Sequence, residues 1–284
     1  MKKILVCVDG SDYSKVCCQY AIWLSQQTQA TIEVVYVSDL RQFEMSLISD
    51  FSASIGIQPY AGFHNQLKMI ETEKVKTMKI FIKDIFAKAN MLDKMTFHNK
   101  SGVFVEYLEE IDDHFDNVDL VLLGKRGESA DSAQQHLGSS MDRVIRSTPK
   151  PCFICPKELV DPKKILFAYD GSPSCNKVID FLVANKGFKN LELNILTVVD
   201  EHHPEKMRSY AESAQKTLKL AGYDPILRIV PGNPENVIVS CVEKENIDFL
   251  IAGAHGHSRI RDLILGSTTV HLLQRCKIPI LMLR

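Results

Sequence analysis

The chain repeats itself, and that duplication restricts its fold more than any other feature. Lys2–Ser11 (KKILVCVDGS) and Lys163–Ser172 (KKILFAYDGS) share seven of ten residues. The same order of landmarks then recurs. VDLVLLG at 118–124 is echoed by IDFLIAG at 247–253, GKRG at 124–127 by GAHG at 253–256, and GSS at 138–140 by GST at 266–268. PKPCFIC at 149–155 is echoed by KIPILML at 277–283. A fixed series of landmarks occurring twice means two homologous domains in tandem, and 284 residues are about right for two. The expected domains are 1–157 and 163–284, joined by the short, Pro-bounded segment Pro156–Pro162.

Each unit alternates strand and helix. Ile4–Val8 is a continuous apolar run of the kind buried in a parallel sheet. Residues 14–28 carry Val16, Tyr20, Ala21 and Leu24 on one helical face. Thr31–Val37 is rich in β-branched residues. A long amphipathic stretch, 66–91, places Val75, Met78, Ile82, Ile85 and Phe86 on one side. A strand near 102–105, a helix near 106–115, a strand at Leu120–Leu123, a helix from 139 and a strand at 152–155 complete the unit. The fold expected is α/β: two Rossmann-like domains, each a five-stranded parallel sheet with helices on both faces. The first unit is about thirty residues longer, and the excess falls in 40–70. That segment reads either as a docked loop with short helices over a sheet edge or as a lid over a ligand.

Composition excludes several classes of function. Net charge is −1, with no basic excess of the sort that neutralises a nucleic-acid backbone. The N-terminal apolar run is cut by Asp9, which is too early for a secretory signal. No stretch reaches the length of a membrane span. A cytoplasmic protein binding neither nucleic acid nor membrane is expected. Eight cysteines, at 7, 17, 18, 152, 155, 175, 241 and 276, are irregularly spaced and read as reduced and mostly buried. Cys152 and Cys155 have redox C-x-x-C spacing, but on a strand positions three apart point to opposite faces.

The strongest local signal is Gly253-x-x-Gly256, then nine residues, then Gly266-Ser267. It lies between a buried strand and an apolar-periodic segment. Glycines let backbone approach a ligand, and a helix start offers free N–H groups to a phosphate. The spacing matches neither the Walker nor the Rossmann fingerprint. Taken alone, it suits nucleotide binding and a plain turn-and-cap equally.

These residues resemble the universal stress protein family in its tandem, nucleotide-binding form. The family pattern G-x2-G-x9-G-[S/T] is met residue for residue by 253–267. The resemblance extends to both D-G-S turns, to VPGNPENVI at 230–238 and to the Pro-led last strand. It implies that ATP, or ADP or AMP, is the ligand, with Mg accompanying ATP. It places Asp170 and Val198 near adenine, Gly253 near ribose, and Gly256, Gly266 and Ser267, flanked by His255 and Thr268, near phosphates. The matching positions of the first repeat are Asp9, Val37, Gly124, Gly127, Gly138, Ser139 and Ser140. There the loop holds ten residues rather than nine, with Glu128 and Asp131 opposing phosphate and Lys125 and Arg126 attracting it.

Blander readings stand beside these. Asp9 and Asp170 suit Asx-turns, and His202-His203 and Glu109–Asp113 suit solvated surface. His255 and His257 are either loop bystanders or phosphate contacts. No nucleophile-base set of the hydrolase kind is evident. The first reading is therefore a stress-response binding and signalling module, not an enzyme. A slow ATP hydrolase is the second, and a scaffold with vestigial sites and unnamed protein partners the third. The resemblance also implies antiparallel pairing of 152–155 with 280–283, an intrachain pseudo-dimer that makes an obligatory homodimer unnecessary while leaving further homo-oligomerisation open.

Overall fold

The computed structural model describes residues 1–39, 61–115, 117–127, 139–148, 150–199, 204–254 and 265–284. The first repeat runs β1 (Lys3–Val8), α1 (Asp12–Thr28), β2 (Thr31–Ser38), α2 (Ala61–Lys88), β3 (Met95–Ser101), α3 (Phe104–Glu109), α4 (Ile111–His114), β4 (Leu120–Gly124), α5 (Ser139–Ser147) and β5 (Cys152–Cys155). The second runs β6 (Lys164–Ala168), α6 (Pro173–Ala184), β7 (Glu192–Val199), α7 (Pro204–Leu220), β8 (Ile226–Pro231), α8 (Pro234–Lys244), β9 (Phe249–Gly253), α9 (Ser267–Arg275) and β10 (Ile280–Leu283). The chain is α/β throughout, as expected.

The ten strands of the described residues form one sheet in the order β3-β2-β1-β4-β5-β10-β9-β6-β7-β8. Each half is parallel, and the halves meet where β5 and β10 pair antiparallel, Ile154 opposite Ile280 and Cys152 opposite Met282. The pairing expected for 152–155 and 280–283 is thus present. It removes two apolar edges that would otherwise invite association, and Phe153 and Leu281, fully buried, face one another across the junction.

Two apolar layers sandwich the sheet. One is built from α1, α2, α6 and α7 against Ile4, Val6, Phe153, Phe167 and Phe249. The other is built from α3, α5, α8 and α9 against Leu5, Val121, Cys152, Leu166 and Leu250. Alternation along a strand explains the division, and it separates Cys152 from Cys155, which lie in different layers. The first layer runs across the junction through aromatic rings. Tyr20 meets Phe153 at 5.2 Å, Phe153 meets Phe249 at 5.3 Å, and Trp23 of α1 meets Phe188 of the second half at 6.2 Å. The Tyr20 hydroxyl also accepts from the backbone N–H of Val160 and donates to its carbonyl, both at 2.9 Å, which pins the linker.

Duplication extends to detail. Before β4, Asp119 accepts the backbone N–H groups of Lys2 and Lys3. Before β9, Asp248 accepts those of Lys163 and Lys164 at 2.8 and 2.7 Å. One expectation fails: the third strand is Met95–Ser101, not 102–105, and the apolar run Val103–Val105 leads into α3. β3 is the edge strand of the first half, so its side chains are exposed or half-exposed and carry no apolar run to read. Val105 and Leu108, buried three residues apart, are the core face of a short helix. Within 40–70, residues 61–70 belong to α2, and 40–60 fall outside the described residues.

Candidate functional site

β6 is flanked by β7 on one side and β9 on the other, so the chain leaves it in opposite directions. In an open parallel sheet such a switch point opens a crevice at the carboxyl ends of the strands, where ligands bind. Asp170 follows β6, Val198 is the penultimate residue of β7, and Gly253 ends β9. The sheet therefore brings three expected site residues to adjacent strand ends. The first repeat does the same with Asp9 after β1, Val37 in β2 and Gly124 ending β4, since β1 lies between β2 and β4.

The turns after β6 and β1 are Asx-turns. Asp170 Oδ1 accepts the N–H of Ser172 at 2.9 Å, and Asp9 Oδ1 accepts that of Ser11 at 2.9 Å together with the Ser14 hydroxyl at 2.9 Å. Gly10 and Gly171 sit at φ +92° and +75°, a region costly for any residue with a Cβ. Both aspartates therefore have a structural task, whatever else they contact. Ser172 then caps α6, its hydroxyl accepting the N–H of Cys175 at 3.3 Å.

Gly253 and Gly124 are glycines because of a close approach. A Cβ on Gly253 would overlap the Ser174 hydroxyl, and one on Gly124 would lie 2.6 Å from the Tyr13 Cβ. Both strand ends press against the first turn of the first helix of their own repeat, α1 and α6. Gly127, in turn, comes against Asp9: a Cβ there would lie 3.0 Å from Asp9 Oδ2.

Helix α9 begins at Ser267, capped by Gly266 in extended conformation, φ −60° and ψ 149°. Glycine at 266 is thus not demanded by backbone strain. The cap is Gly266 itself, with Ser267 exposed in the first turn and Thr268 half-buried. The N–H groups of Ser267, Thr268 and Thr269 have no acceptor inside the helix, whose first bond runs from Val270 to the Gly266 carbonyl. Thr269 is the residue the sequence reading missed. It is buried, and its hydroxyl lies 3.2 Å from the Ala254 carbonyl and 3.4 Å from that of Gly253, fastening the helix start to the end of β9. Only a comparison of the repeats could have marked it, because the corresponding residue of α5 is Met141, which has no hydroxyl and is buried in the core.

Lys125 reaches across to the second repeat. Its Nζ donates to the Cys276 carbonyl at 2.7 Å and stands 3.4 Å from that of Gln274, at the C-terminal end of α9. Burial, assisted by Arg126 and Lys277, pushes its pKa down to about 8 against an opposing effect of Cys276. Helix α5 starts at Ser139-Ser140, as expected. His255, Gly256, His257, Gly138, Glu128, Asp131, His202 and His203 lie outside the described residues. Among the described residues, no group of three or more His, Cys, Asp and Glu could hold a metal ion, and no helix is long and apolar enough to cross a membrane.

Comparison with known proteins places the chain. The sequence pattern of the universal stress protein family matches twice, at residues 1–156 and 162–284. Universal stress protein Slr1230 of Synechocystis is 38% identical over the whole of both chains. Universal stress protein MJ0577 of Methanocaldococcus jannaschii is 25% identical, across 43% of this chain and 94% of its own length. The crystal structure of a universal stress protein from Archaeoglobus fulgidus superposes with a TM-score of 0.74 at 20% identity, covering 99% of this chain and 98% of that one. The chain belongs to the universal stress protein family, with two of its domains in tandem.

Proposed function

We propose that the chain is a stress-response binding and signalling module that holds an adenine nucleotide, ATP foremost, in the crevice at the carboxyl ends of β6, β7 and β9. The arrangement at α9 carries the reading. A helix start whose first N–H groups have no acceptor inside the helix is tied by Thr269 to the end of β9, on the same edge of the sheet as Asp170 and Val198. Helix N-termini favour anions through their N–H groups and dipole, and an open switch point accommodates a flat base beside strand ends. In this reading Asp170 and Val198 border the base, Gly253 the ribose, and Gly266, Ser267 and Thr268 the phosphates, with His255 and Gly256 completing the loop. Mg would be held chiefly by the phosphates themselves.

The first-domain positions Asp9, Val37, Gly124, Gly127, Gly138, Ser139 and Ser140 form the weaker site. Lys125 is committed to α9, and Met141 offers no hydroxyl to fix α5 against β4. Mass spectrometry of the denatured, freshly purified protein tests the proposal. An adenine nucleotide released in up to equal amount to the chain is expected. A protein that carries none and shows no thermal shift with added ATP overturns it.

A further inference from the structure

We propose that Tyr210 of α7 is an aromatic wall of the second-domain crevice, on which the base of a bound nucleotide stacks. The inference rests on the nucleotide reading above and adds to it a helix, α7, that neither the glycine loop nor the D-G-S turn includes. Tyr210 comes directly onto the turn that carries Asp170. A Cβ on Gly171 would lie 2.6 Å from Tyr210 Cδ2 and 3.3 Å from its Cγ. Glycine at 171 thus admits the ring as well as supplying the positive φ. Burial pushes the pKa of the adjacent Tyr169 up to about 12, with Cys175, Asp170 and Tyr210 adding to it. Asp170 and Tyr210 therefore share one neighbourhood at the end of β6.

The fold leaves part of this ring open. Helix α7 packs inward through Ala211, Ala214 and Leu218, which are buried, whereas Tyr210 stays 38% exposed. The helix begins just beyond the carboxyl end of β7, so its first two turns stand at the edge of the sheet where Asp170 and Val198 lie. Lys206, one turn before Tyr210, holds its Nζ 5.6 Å from the ring centroid, a cation–π contact that steadies the ring. A ring for a flat group and an ammonium beside it suit a ligand that is both aromatic and anionic, as a nucleotide is.

The first repeat supplies the comparison. The same turn is covered there by Met78 and Lys74, whose Cε atoms would lie 3.3 and 3.8 Å from a Cβ on Gly10. Lys74 and Met78 are four residues apart, like Lys206 and Tyr210, and Met78 is buried. The tyrosine of that repeat is Tyr36 in β2, with Lys74 Nζ 5.8 Å from its centroid. It is only 6% exposed, and Glu71 accepts its hydroxyl and that of Ser38, both at 2.6 Å. In β7 the corresponding residues are Thr197 and Val199, so that enclosure is not repeated. The unit can be built without an exposed tyrosine at this turn, and the exposure of Tyr210 is not a requirement of the fold.

Calorimetric titration of the full chain with ATP tests this. Tyr210→Ala should weaken binding by roughly tenfold, at the lower end of what stacking a base on an aromatic side chain contributes. Tyr210→Phe should bind as the parent does, because stacking needs the ring and not the hydroxyl. Trp23, the one tryptophan of the chain, packs at the junction of the repeats against Tyr20 and Phe188. Tyr210→Trp therefore adds a reporter whose emission ATP should quench, while the emission of the parent stays constant. A parent that binds no ATP overturns the nucleotide reading and this wall with it. A parent that binds ATP, with affinity unaltered in Tyr210→Ala or emission unquenched in Tyr210→Trp, overturns the wall alone.

Discussion

Lys125 Nζ donates to the carbonyl of Cys276 at 2.7 Å, so a cation from the first glycine loop closes the C-terminal end of the second domain's last helix. The contact is reciprocated, since the guanidinium of Arg284, the last residue of the second domain, donates to the Arg146 carbonyl near the end of α5. Each domain thus places positive charge at the negative end of the other's final helix, on either side of the β5–β10 junction. The two repeats are fastened by polar ties as well as by the aromatic layer.

This geometry sets a pH dependence for Lys125. Its folded pKa, about 8, lies below that of a free lysine, about 10.4. Below pH 8 both states are protonated and the folded protein bears the cost of a desolvated ammonium. Between pH 8 and 10.5 the unfolded chain binds more protons, so stability from this group rises with pH, by on the order of 3 kcal/mol across the window. Cys276, which faces Lys125, is raised to about 11 by burial and titrates above most of that range. Urea unfolding of the parent chain and Lys125→Met at pH 7.5, 9 and 10.5 should show the difference moving in favour of the parent as pH rises. A constant difference would mean that the ammonium remains in water.

What the sequence disclosed follows from what repetition makes visible. The D-G-S turns, the G-x-x-G loops and the Pro-led strands recur because each is needed wherever the unit is built, and comparing the repeats isolates them. β3 lies earlier than expected because an edge strand with exposed or half-exposed side chains such as Thr96, His98 and Lys100 has no apolar period. The bond of Lys125 to α9 is not legible in sequence, because its loop is visible there while the helix end 149 residues on is not. Thr269 was passed over for the opposite reason. The repeats differ there, and a difference acquires meaning only once the hydroxyl is seen beside two carbonyls.

Thr269 therefore makes a separable prediction. Thr269→Val keeps the shape and removes the hydrogen bond, leaving carbonyls of Gly253 and Ala254 with less satisfaction, at a cost of about 1 kcal/mol. Because the bond positions the start of α9, the melting-temperature shift produced by ATP should shrink by more than the change in the ligand-free protein. Equal loss in the presence and absence of ATP would reduce Thr269 to a stabilising residue with no bearing on the site.

The cysteines give a third test. Seven are buried, and Cys241 is half-buried with its sulfur 3.2 Å from Arg228 Nη2. Burial and Glu245 raise its pKa, so its thiolate fraction at neutral pH is small. One thiol per chain should react slowly with a disulfide reagent in the native protein, and none in Cys241→Ser. All eight should react in denaturant. Rapid native reaction of Cys152 or Cys155, or a disulfide between them, would contradict their placement on opposite faces of β5.

The last prediction ranks the two nucleotide sites. Gly266 is extended at φ −60°, so Gly266→Val introduces no left-handed strain and should leave the ligand-free protein close to its parent stability. The branched side chain would instead stand at the start of α9, where a phosphate must come within hydrogen-bonding distance of the N–H groups of Ser267 and Thr268. Binding to the native state alone stabilises by roughly 2.7 kcal/mol at about 100 times the dissociation constant, which ATP should register as a rise in melting temperature. Gly266→Val should abolish most of that rise, and Gly138→Val should leave most of it, because Lys125 is held by α9 and Met141 cannot fasten α5 as Thr269 fastens α9. Comparable partial losses would indicate two working sites. Dominance of Gly138 would reverse the ranking, and an undiminished shift in both variants would remove the glycine loops from the binding site.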